Sequence, residues 1–413
     1  MQERRGGDVP AMEDRHDFAR KIIQVGQAFT PGSPIDEKDL FAGRLPAVQR
    51  VIQILRQRGQ HAVIFGERGV GKTSLAKVIR TFLEGPETII APHIDCATTD
   101  SFAAIWKRVF AQINVSRERF TAGFKRQDTT ESYPLSDTLK GDMTPDKVQE
   151  ILDRLAEKNF VFIILDEFDR IKNRDARRLI ADTIKSMSDR GHPATLLLVG
   201  VGDAVSDLIA EHESVERNII QIPLPRMSIP ELNDIVLKAL HRLQMEIEPD
   251  ALERIGFLSR GFPYYTHKLG QFAATVALEA GSNRLNQDHV GKAIDRTVND
   301  GQYTHLRTYV TATASPRKDN LFREVLLACA LADTDELGFF TASDVRGPLT
   351  HIMKRSYDVP SFARHLKEFC ETKRGHILEK TGDRYNVRFR FQNPMMQPFV
   401  VMKGFSDGFL KQD

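Results

Sequence analysis

Gly66-Glu67-Arg68-Gly69-Val70-Gly71-Lys72-Thr73 is the stretch that decides the fold. It matches the pattern GxxxxGK[ST] in full, and it lies between the apolar run Ala62–Phe65 and a helix-compatible segment, Ser74–Leu83. The glycines let backbone N–H groups turn inward around a phosphate, and the following helix adds its positive N-terminal end. The Lys72 ammonium binds the terminal phosphates and the Thr73 hydroxyl binds Mg²⁺. The predicted contacts with ATP are Gly66, Gly69, Val70, Gly71, Lys72, Thr73 and Ser74.

A second motif, Val161–Glu167, follows later in the chain as an apolar strand that ends in two carboxylates. Asp166 at the strand tip holds Mg²⁺, usually through a water molecule, and Glu167 orients or deprotonates the attacking water. A strand ending in Asp-Glu is common by itself, but after a glycine-rich phosphate loop it indicates ATP hydrolysis. Thr73 and Asp166 are therefore the predicted Mg²⁺ residues.

The composition is that of an ordinary globular protein and excludes few functions. Lys plus Arg number 58 against 56 Asp plus Glu, a net charge of +2 that neither demands nor excludes nucleic acid. Cys96, Cys329 and Cys370 form no CxxC pair and are typical of reduced thiols. No apolar run approaches the roughly 20 residues of a membrane span, and Met1–Arg20 holds no secretion signal. We expect a cytoplasmic protein without a membrane partner.

The order of the elements predicts an α/β fold with a mostly parallel sheet. Apolar runs typical of buried strands alternate with helical patterns; the runs are Thr88–Ile94, Val161–Leu165, Thr195–Val199 and Ile219–Ile222. The polar stretch Ser116–Asp142 is predicted to be a surface insertion, because it shows no clear period. The first forty residues are polar, hold Pro31 and Pro34, and are predicted to form a loose arm.

After Pro225 the pattern becomes helical, which predicts a small helical lid, and Thr311–Lys318 is typical of a linker. Beyond it, two helical stretches, Leu321–Ala332 and Pro360–Thr372, precede a β-patterned pair, His376–Glu379 and Tyr385–Phe391. Two helices and a hairpin indicate an α+β winged helix. The predicted domains are an N-terminal arm (1–37), a nucleotide-binding domain (38–226), a lid (227–312) and a winged-helix-like domain (313–413).

The chain resembles the AAA+ ATPases, and among them the origin-recognition initiator-like clade and the related transposition-regulator ATPases. The likeness is carried by Leu40–Arg44, the phosphate loop, Asp166–Asp169, Leu197–Gly200 and the helical lid. It implies a P-loop sheet with strand order 5-1-4-3-2, a lid over the nucleotide, and ATP sites completed by a neighbouring subunit. A homo-oligomer or a hetero-assembly of AAA+ subunits is therefore expected.

The resemblance also assigns roles to single residues. Gly43 and Arg44 match the segment that lies against adenine in the family. Arg217 occupies the place of an arginine finger, which stabilises the transferring phosphoryl group of the next subunit. An exposed arginine without that role is the alternative.

Two departures from the family pattern concern the sensors of the γ-phosphate. Asp203 stands near the place where Asn, Ser or Thr is usual, and an acid there is repelled unless a cation or basic group compensates it. Tyr264 follows Gly261-Phe262-Pro263 where the family has Arg, and His267 or Lys268, about one turn on, are candidate substitutes. Slow hydrolysis, or a lid that senses nucleotide differently, is the expectation.

The C-terminal domain carries basic residues suited to the phosphates of double-stranded DNA. Arg364 and Lys367 lie on the candidate recognition helix, and Lys380, Arg384, Arg388 and Arg390 lie on the candidate wing. Acidic residues in the same domain reduce its positive charge, and winged helices also dock on proteins. The closing stretch Phe391–Val400 is predicted to be core packing.

The sequence thus predicts an ATP-binding AAA+ switch that oligomerises with ATP and engages DNA or a partner complex through its tail. The alternative is a STAND-like signalling or defence ATPase whose tail docks protein only. A metabolic kinase is disfavoured, because Asp166-Glu167 is a water-activating pair and no acceptor pocket is evident.

Overall fold

The structure is a computed structural model, and it describes residues 12–32, 43–55, 57–83, 88–119, 129–201, 216–300, 303–316, 320–383 and 386–410. The helices are α1 (Met12–Ala28), α2 (Leu45–Ile54), α3 (Lys72–Leu83), α4 (Phe102–Ala111), α5 (Pro145–Ala156), α6 (Arg174–Asp189), α7 (Ile229–Arg242), α8 (Pro249–Ser259), α9 (Pro263–Glu279), α10 (Gln287–Asn299), α11 (Tyr303–Thr313), α12 (Phe322–Leu331), α13 (Ala342–Met353), α14 (Val359–Phe369) and α15 (Met396–Ser406). The strands are β1 (His61–Phe65), β2 (Ile89–Ile90), β3 (His93–Asp95), β4 (Asn114–Arg119), β5 (Thr129–Pro134), β6 (Phe160–Asp166), β7 (Thr195–Gly200), β8 (Ile219–Pro223), β9 (Glu246–Ile247), β10 (Arg284–Leu285), β11 (Leu378–Thr381) and β12 (Arg388–Phe391). Over these residues, none of the helices has the length and apolar character that a bilayer crossing requires.

The central sheet is parallel and has the order β8-β1-β7-β6, with β2 and β3 both paired to the free side of β6. Counting β2 and β3 as one strand, the order is the expected 5-1-4-3-2, which is confirmed. The predicted strand Thr88–Ile94 is interrupted at Pro92, because proline has no N–H to donate to a ladder.

Strands β6 and β7 of the central sheet are buried on both faces, which explains their unbroken apolar sequences. Phe162 and Ile164 of β6 face the core shared with the lid. Ile163 and Leu165 face the opposite core, against α4, α5 and α6. Alternate residues of a strand point to opposite faces, so helices cover both sides and leave the carboxyl edge of the sheet for the phosphate loop.

The described part of the stretch predicted to be a surface insertion contains an antiparallel strand pair, β4 with β5, followed by a 3₁₀ turn at Leu135–Thr138. Polar strands such as Asn114–Arg119 escape detection because neither face shows an apolar period. The antiparallel register runs from Asn114 opposite Pro134 to Arg119 opposite Thr129.

The prediction of a loose N-terminal arm is wrong for the described part. Residues Met12–Ala28 form α1, and Phe29 after it is fully buried. Phe29 lies against Gly270 of α9, where even a Cβ atom would come within 2.4 Å of its ring. Gly270 thus admits the ring, and the N-terminal segment is attached to the lid.

The described part of the C-terminal region contains two helices that were not predicted, α13 and α15. Helices α12, α13 and α14 precede the β11–β12 hairpin, and Phe340 before α13 bridges Phe389 of β12. Gly347 and Pro348 lie within α13, and both are residues that usually break a helix. The predicted linker also begins later, because α11 continues to Thr313. Helix α15 packs against α10 and α12 within the core shared with the lid.

Candidate functional site

The phosphate loop lies at the carboxyl edge of the sheet, between β1 and α3, as the motif predicts. Gly69 and Gly71 have positive φ angles of 90° and 96°, a conformation that side chains disfavour. A cavity of about 820 Å³ opens beside the loop. It is lined by Thr30, Pro31, Gly32, Arg68, Gly69, Gly71, Lys72, Thr73, Ser74, Asp166, Glu167, Asp169, Arg170, Gly200, Val201, Pro263, Tyr264, His267 and Met395. Five of the seven ATP contacts predicted within Gly66–Ser74 are in this lining.

The other two predicted contacts, Gly66 and Val70, support the loop from behind. A Cβ atom at Gly66 would lie 2.3 Å from the carbonyl oxygen of Leu224, so only glycine fits against that segment. The Val70 side chain is buried in the core. Both residues therefore fix the loop, and neither lines the cavity.

The Lys72 ammonium donates to two carbonyl oxygens of its own loop, those of Gly66 at 3.0 Å and Glu67 at 2.7 Å. Burial lowers the pKa of Lys72 to about 8, and the nearby carboxylates of Asp169, Asp166 and Glu67 oppose this effect. The ammonium therefore stays charged at neutral pH in a position that faces the cavity.

The Asp166 carboxylate is held from two sides at the tip of β6. Its Oδ1 accepts the backbone N–H of Glu167 at 2.7 Å, and its Oδ2 lies 3.3 Å from Nε2 of His93 on the neighbouring β3. Each carboxylate oxygen keeps a second lone pair, so a hydrated cation still finds acceptors. Thr73 and Asp166 thus supply the oxygen ligands that Mg²⁺ prefers, and the donor set fits this ion.

His93, Asp95 and Asp166 place one ligand atom each within 4.8 Å of one another. Sequence reasoning missed His93, because nothing in its own segment indicates that β3 lies beside β6 and brings His93 next to Asp166. Its contact fixes the direction of the Asp166 carboxylate.

Glu167 sits at the sheet edge in the left-handed backbone region, with φ 51°. Non-glycine residues held in this region are uncommon, and they are found most often at functional sites. Its carboxylate forms a short ion pair with Arg170 and remains half exposed. Asp169 accepts the backbone N–H of Val201 at 3.2 Å and so ties this turn to the end of β7.

Sequence reasoning also missed the contribution of the chain ends to the cavity. Thr30, Pro31 and Gly32 line it from the N-terminal side, and Met395 lines it from the C-terminal side. A Cβ at Gly69 would lie 2.7 Å from the Met395 sulfur, and Tyr265 donates its hydroxyl to the Met395 carbonyl oxygen at 2.9 Å. The stretch predicted to be core packing therefore also forms a wall of the candidate site.

One guanidinium joins the loop to the lid and to the C-terminal region. Arg226 forms a bidentate ion pair with Glu67, at 2.5 and 2.9 Å, and donates to Gln397 Oε1 at 2.6 Å. It also lies 4.7 Å from the centre of the Phe262 ring. Gln397 in turn donates to the carbonyl oxygen of Ala330 at 2.9 Å. The phosphate loop is therefore connected through side chains to α12 and α15.

Gly43 and Arg44 do not line the cavity, so the structure gives their predicted adenine contact no support. Arg44 is buried and donates to the carbonyl oxygens of Pro225 at 2.5 Å and Val70 at 3.4 Å. Its long side chain braces the loop against the segment before the lid. Thr30–Gly32 occupy the cavity side instead.

The remaining residues predicted to act at the ATP site are Arg217, Asp203 and the candidates in the lid. Arg217 is exposed in a 3₁₀ turn before β8 and does not line the cavity of its own chain. Asp203 lies outside the described residues. In the lid, Tyr264 and His267 line the cavity, whereas Lys268 pairs with Asp300 at 3.2 Å.

The predicted DNA residues divide into exposed and paired groups. Arg364, Lys367 and Lys380 are exposed, and Arg364 pairs with Glu368. Arg388 and Arg390 alternate with the buried Phe389 and Phe391. The two arginines pair with Asp335 and Glu379, at 3.1 and 3.0 Å, and both lie over the Phe339 ring, so their charges are compensated within the domain. Arg384 lies outside the described residues.

Comparison with known proteins supports this reading of the fold. Residues 55–208 match the protein-family model described as an AAA domain. No curated protein matches the chain by sequence. The structure is similar to a Walker-type ATPase of Pyrococcus abyssi, with a TM-score of 0.51 and 14% identity over 90% of this chain and 99% of that one.

Two further solved structures are similar at lower scores. The ORC2 protein of Aeropyrum pernix gives a TM-score of 0.49 at 18% identity, covering 90% of this chain and 99% of that chain. Cdc6p of Pyrobaculum aerophilum gives 0.45 at 14%, covering 93% and 99%. The sheet order and the phosphate loop are those of a P-loop fold, and residues 55–208 are the part of the chain that matches the AAA domain.

Proposed function

We propose that the chain is a nucleotide-switched ATPase that binds Mg-ATP and hydrolyses it at the cavity beside the phosphate loop. The observation that carries the proposal is the convergence of two motifs on one cavity. Lys72 and Thr73 line it from the loop, and Asp166 and Glu167 line it from the tip of β6. Cation, hydroxyl and carboxylates in this arrangement are what phosphoryl transfer to water requires.

Each residue has a defined part in the proposed reaction. Lys72 and the loop N–H groups bind the β- and γ-phosphates, while Thr73 and Asp166 hold Mg²⁺, which would neutralise charge on the phosphate oxygens when bound. Glu167 orients the attacking water and accepts its proton. To do so, its carboxylate must separate from Arg170, with which it is paired. His93 keeps the Asp166 carboxylate directed, because it contacts Oδ2.

Two substitutions test the ATP site directly. Lys72→Ala should abolish tight ATP binding, whereas Lys77→Ala, on the same helix but outside the cavity, should leave it unchanged. Glu167→Gln should retain binding and lose turnover, because an amide cannot accept the proton. Nucleotide affinity is measured by titration calorimetry and turnover by phosphate release. Unchanged affinity in Lys72→Ala, or full turnover in Glu167→Gln, contradicts the assignment.

We further propose that ATP promotes self-association, with Arg217 completing the site of a neighbouring subunit. Its exposure outside its own cavity supports a role in trans. Arg217→Ala should then bind ATP normally and lose most turnover, since an arginine finger contributes about 10³–10⁵-fold in related phosphoryl transfers. Turnover per subunit that does not rise with protein concentration in the unmodified chain argues against assembly.

For the C-terminal region we propose a winged helix that contacts DNA through α14 and the hairpin. Three helices followed by a hairpin support the fold, and the exposed Arg364, Lys367 and Lys380 support the contact. The pairing of Arg388 and Arg390 with acidic partners favours the second candidate, a protein-docking tail.

A gel-shift titration separates the two. A mixed-sequence duplex is titrated with protein, with and without ATP, across a salt series. A shift that salt weakens and that is lost in an Arg364/Lys367/Lys380→Ala variant supports DNA contact, because phosphate contacts release counterions. An unshifted duplex at low salt, with protein shown to bind ATP, favours protein docking.

A further inference from the structure

Arg68 is a cationic residue of the phosphate loop to which the proposed reaction assigns no part. It is exposed, and it belongs to the lining of the cavity. Its neighbour Glu67, by contrast, is buried and forms an ion pair with Arg226. Among the residues that the structure describes, no carboxylate pairs with Arg68. The loop therefore offers the cavity a second positive charge besides Lys72.

The Arg68 side chain leaves the loop beside the Lys72 ammonium. Lys72 Nζ donates to the carbonyl oxygen of Glu67 at 2.7 Å, and this carbonyl belongs to the peptide bond that joins Glu67 to Arg68. Burial is the main cause that lowers the pKa of Lys72 to about 8, and the positive charge of Arg68 acts in the same direction. Such an effect requires the guanidinium to lie near the ammonium, because the energy between two charges falls with distance.

The carboxylates near Lys72 indicate the end of the cavity at which the two cations lie. Against the effect of burial, Asp169 and Asp166 raise the pKa of Lys72, so both carboxylates are also near its ammonium. In the proposed reaction the γ-phosphate lies between Lys72 and the Mg²⁺ held at Asp166, because the attacking water must reach it there. Arg68 therefore lies at the γ-phosphate end.

The charges of the lining explain why a second cation is needed there. The described lining holds three carboxylates and three cations, namely Asp166, Glu167, Asp169, Arg68, Lys72 and Arg170. Without Arg68, two cations would stand against three carboxylates around a ligand that is itself negative. The described lining residues of the lid do not compensate, because Pro263 and Tyr264 are uncharged and burial lowers the pKa of His267 to about 4.

We propose that the Arg68 guanidinium binds the γ-phosphate of ATP and makes the site selective for the triphosphate over the diphosphate. A guanidinium offers parallel N–H donors that match two oxygens of one phosphoryl group, whereas an ammonium acts as a point charge. Lys72 and the loop N–H groups hold the β-phosphate of either nucleotide, but only ATP has the group that Arg68 contacts. This inference rests on the proposed ATP site.

Three variants test the contact. Arg68→Gln removes the charge and keeps a long polar side chain, whereas Arg68→Lys keeps the charge and loses the planar fork. Arg50→Gln is the matched control, because Arg50 is an exposed arginine of α2 that lies outside the cavity lining. Melting temperatures confirm that each variant is folded.

The probes are ADP and AMP-PNP, a triphosphate analogue that is not hydrolysed, each titrated calorimetrically with Mg²⁺ present. AMP-PNP should bind Arg68→Gln at least about tenfold more weakly than the unmodified protein, because charge-assisted hydrogen bonds are lost. ADP should stay within about threefold. Arg68→Lys should lose less AMP-PNP affinity than Arg68→Gln does, and Arg50→Gln should bind both nucleotides normally.

The outcomes distinguish this inference from the proposed function. If neither nucleotide binds the unmodified protein, the ATP site itself is wrong. If both bind and Lys72→Ala abolishes binding, while Arg68→Gln binds AMP-PNP like the control, the γ-phosphate contact is overturned and the site stands. Equal losses of ADP and AMP-PNP affinity in Arg68→Gln also overturn it, because the effect then does not depend on the γ-phosphate.

Discussion

The ion pair between Arg226 and Glu67 should hold the phosphate loop, the lid and the C-terminal region in one arrangement. The Arg226 side chain is 16% exposed and that of Glu67 is 6% exposed, so both charges are largely removed from water. Removing one partner of such a pair leaves the other charge buried and uncompensated, which costs about 3–5 kcal/mol. Since Arg226 keeps some contact with solvent, we expect a loss of about 3 kcal/mol in Arg226→Met.

Arg226→Met should therefore lower the melting temperature by about 3 °C, measured by scanning calorimetry. The double variant Glu67→Gln/Arg226→Met should lose less than the sum of the two single variants, because no buried charge remains uncompensated. Arg154→Met is the control, since Arg154 forms an exposed pair with Glu150 that contributes about 1 kcal/mol at most. Equal melting temperatures for Arg226→Met and Arg154→Met would refute the reasoning.

Three further predictions concern the cavity and its walls. ATP affinity should fall about fivefold from pH 8 to pH 9, because Lys72 in the free protein loses its proton above a pKa of about 8 while bound phosphate favours the charged form. Calorimetry on Lys72→Arg, which stays charged, should show no such fall. Phe29→Ala should remove about 3–5 kcal/mol of packing against Gly270, and α1 should then become accessible to proteases. Limited proteolysis with and without ADP measures this, and an unchanged digestion pattern contradicts the docking of α1. His93→Ala should raise the Mg²⁺ concentration needed for half-maximal turnover by several-fold, because the Asp166 carboxylate loses its second contact. If that Mg²⁺ concentration is unchanged, Asp166 is oriented without His93.

The parts of the fold that the sequence predicts are those encoded by neighbouring residues. The conformation of the phosphate loop is determined by its own glycines and Lys72. The strand before Asp166 is determined by its own apolar run, so both features can be recognised from short segments of sequence. Strand order followed from the family likeness and was confirmed by the pairing of β1 with β7 and β8. Buried strands are conspicuous because both faces are apolar.

The parts that escaped depend on contacts between distant segments. The sequence of α1 is mixed in charge and gives no sign that the segment is docked. Its docking depends on the contact of Phe29 with Gly270, which is distant in the chain. No local sequence pattern marks Arg226, because its partners Glu67 and Gln397 lie 159 and 171 positions away in the chain. Arg44 matched a family segment by sequence, yet its guanidinium reaches carbonyl oxygens behind the loop. Side-chain direction, and not residue type, decided these cases.

The cavity wall combines Thr30, from the beginning of the chain, with Met395, from near its end. A ribosome releases the chain from the N-terminus, so the phosphate loop and the strands beside it emerge well before Met395 does. Until then the cavity lacks one side, and the nascent chain offers nucleotide only an open surface. The binding site is thus complete only after Met395 has been synthesised, and chains truncated before Met395 should bind ADP weakly even where their sheet has folded.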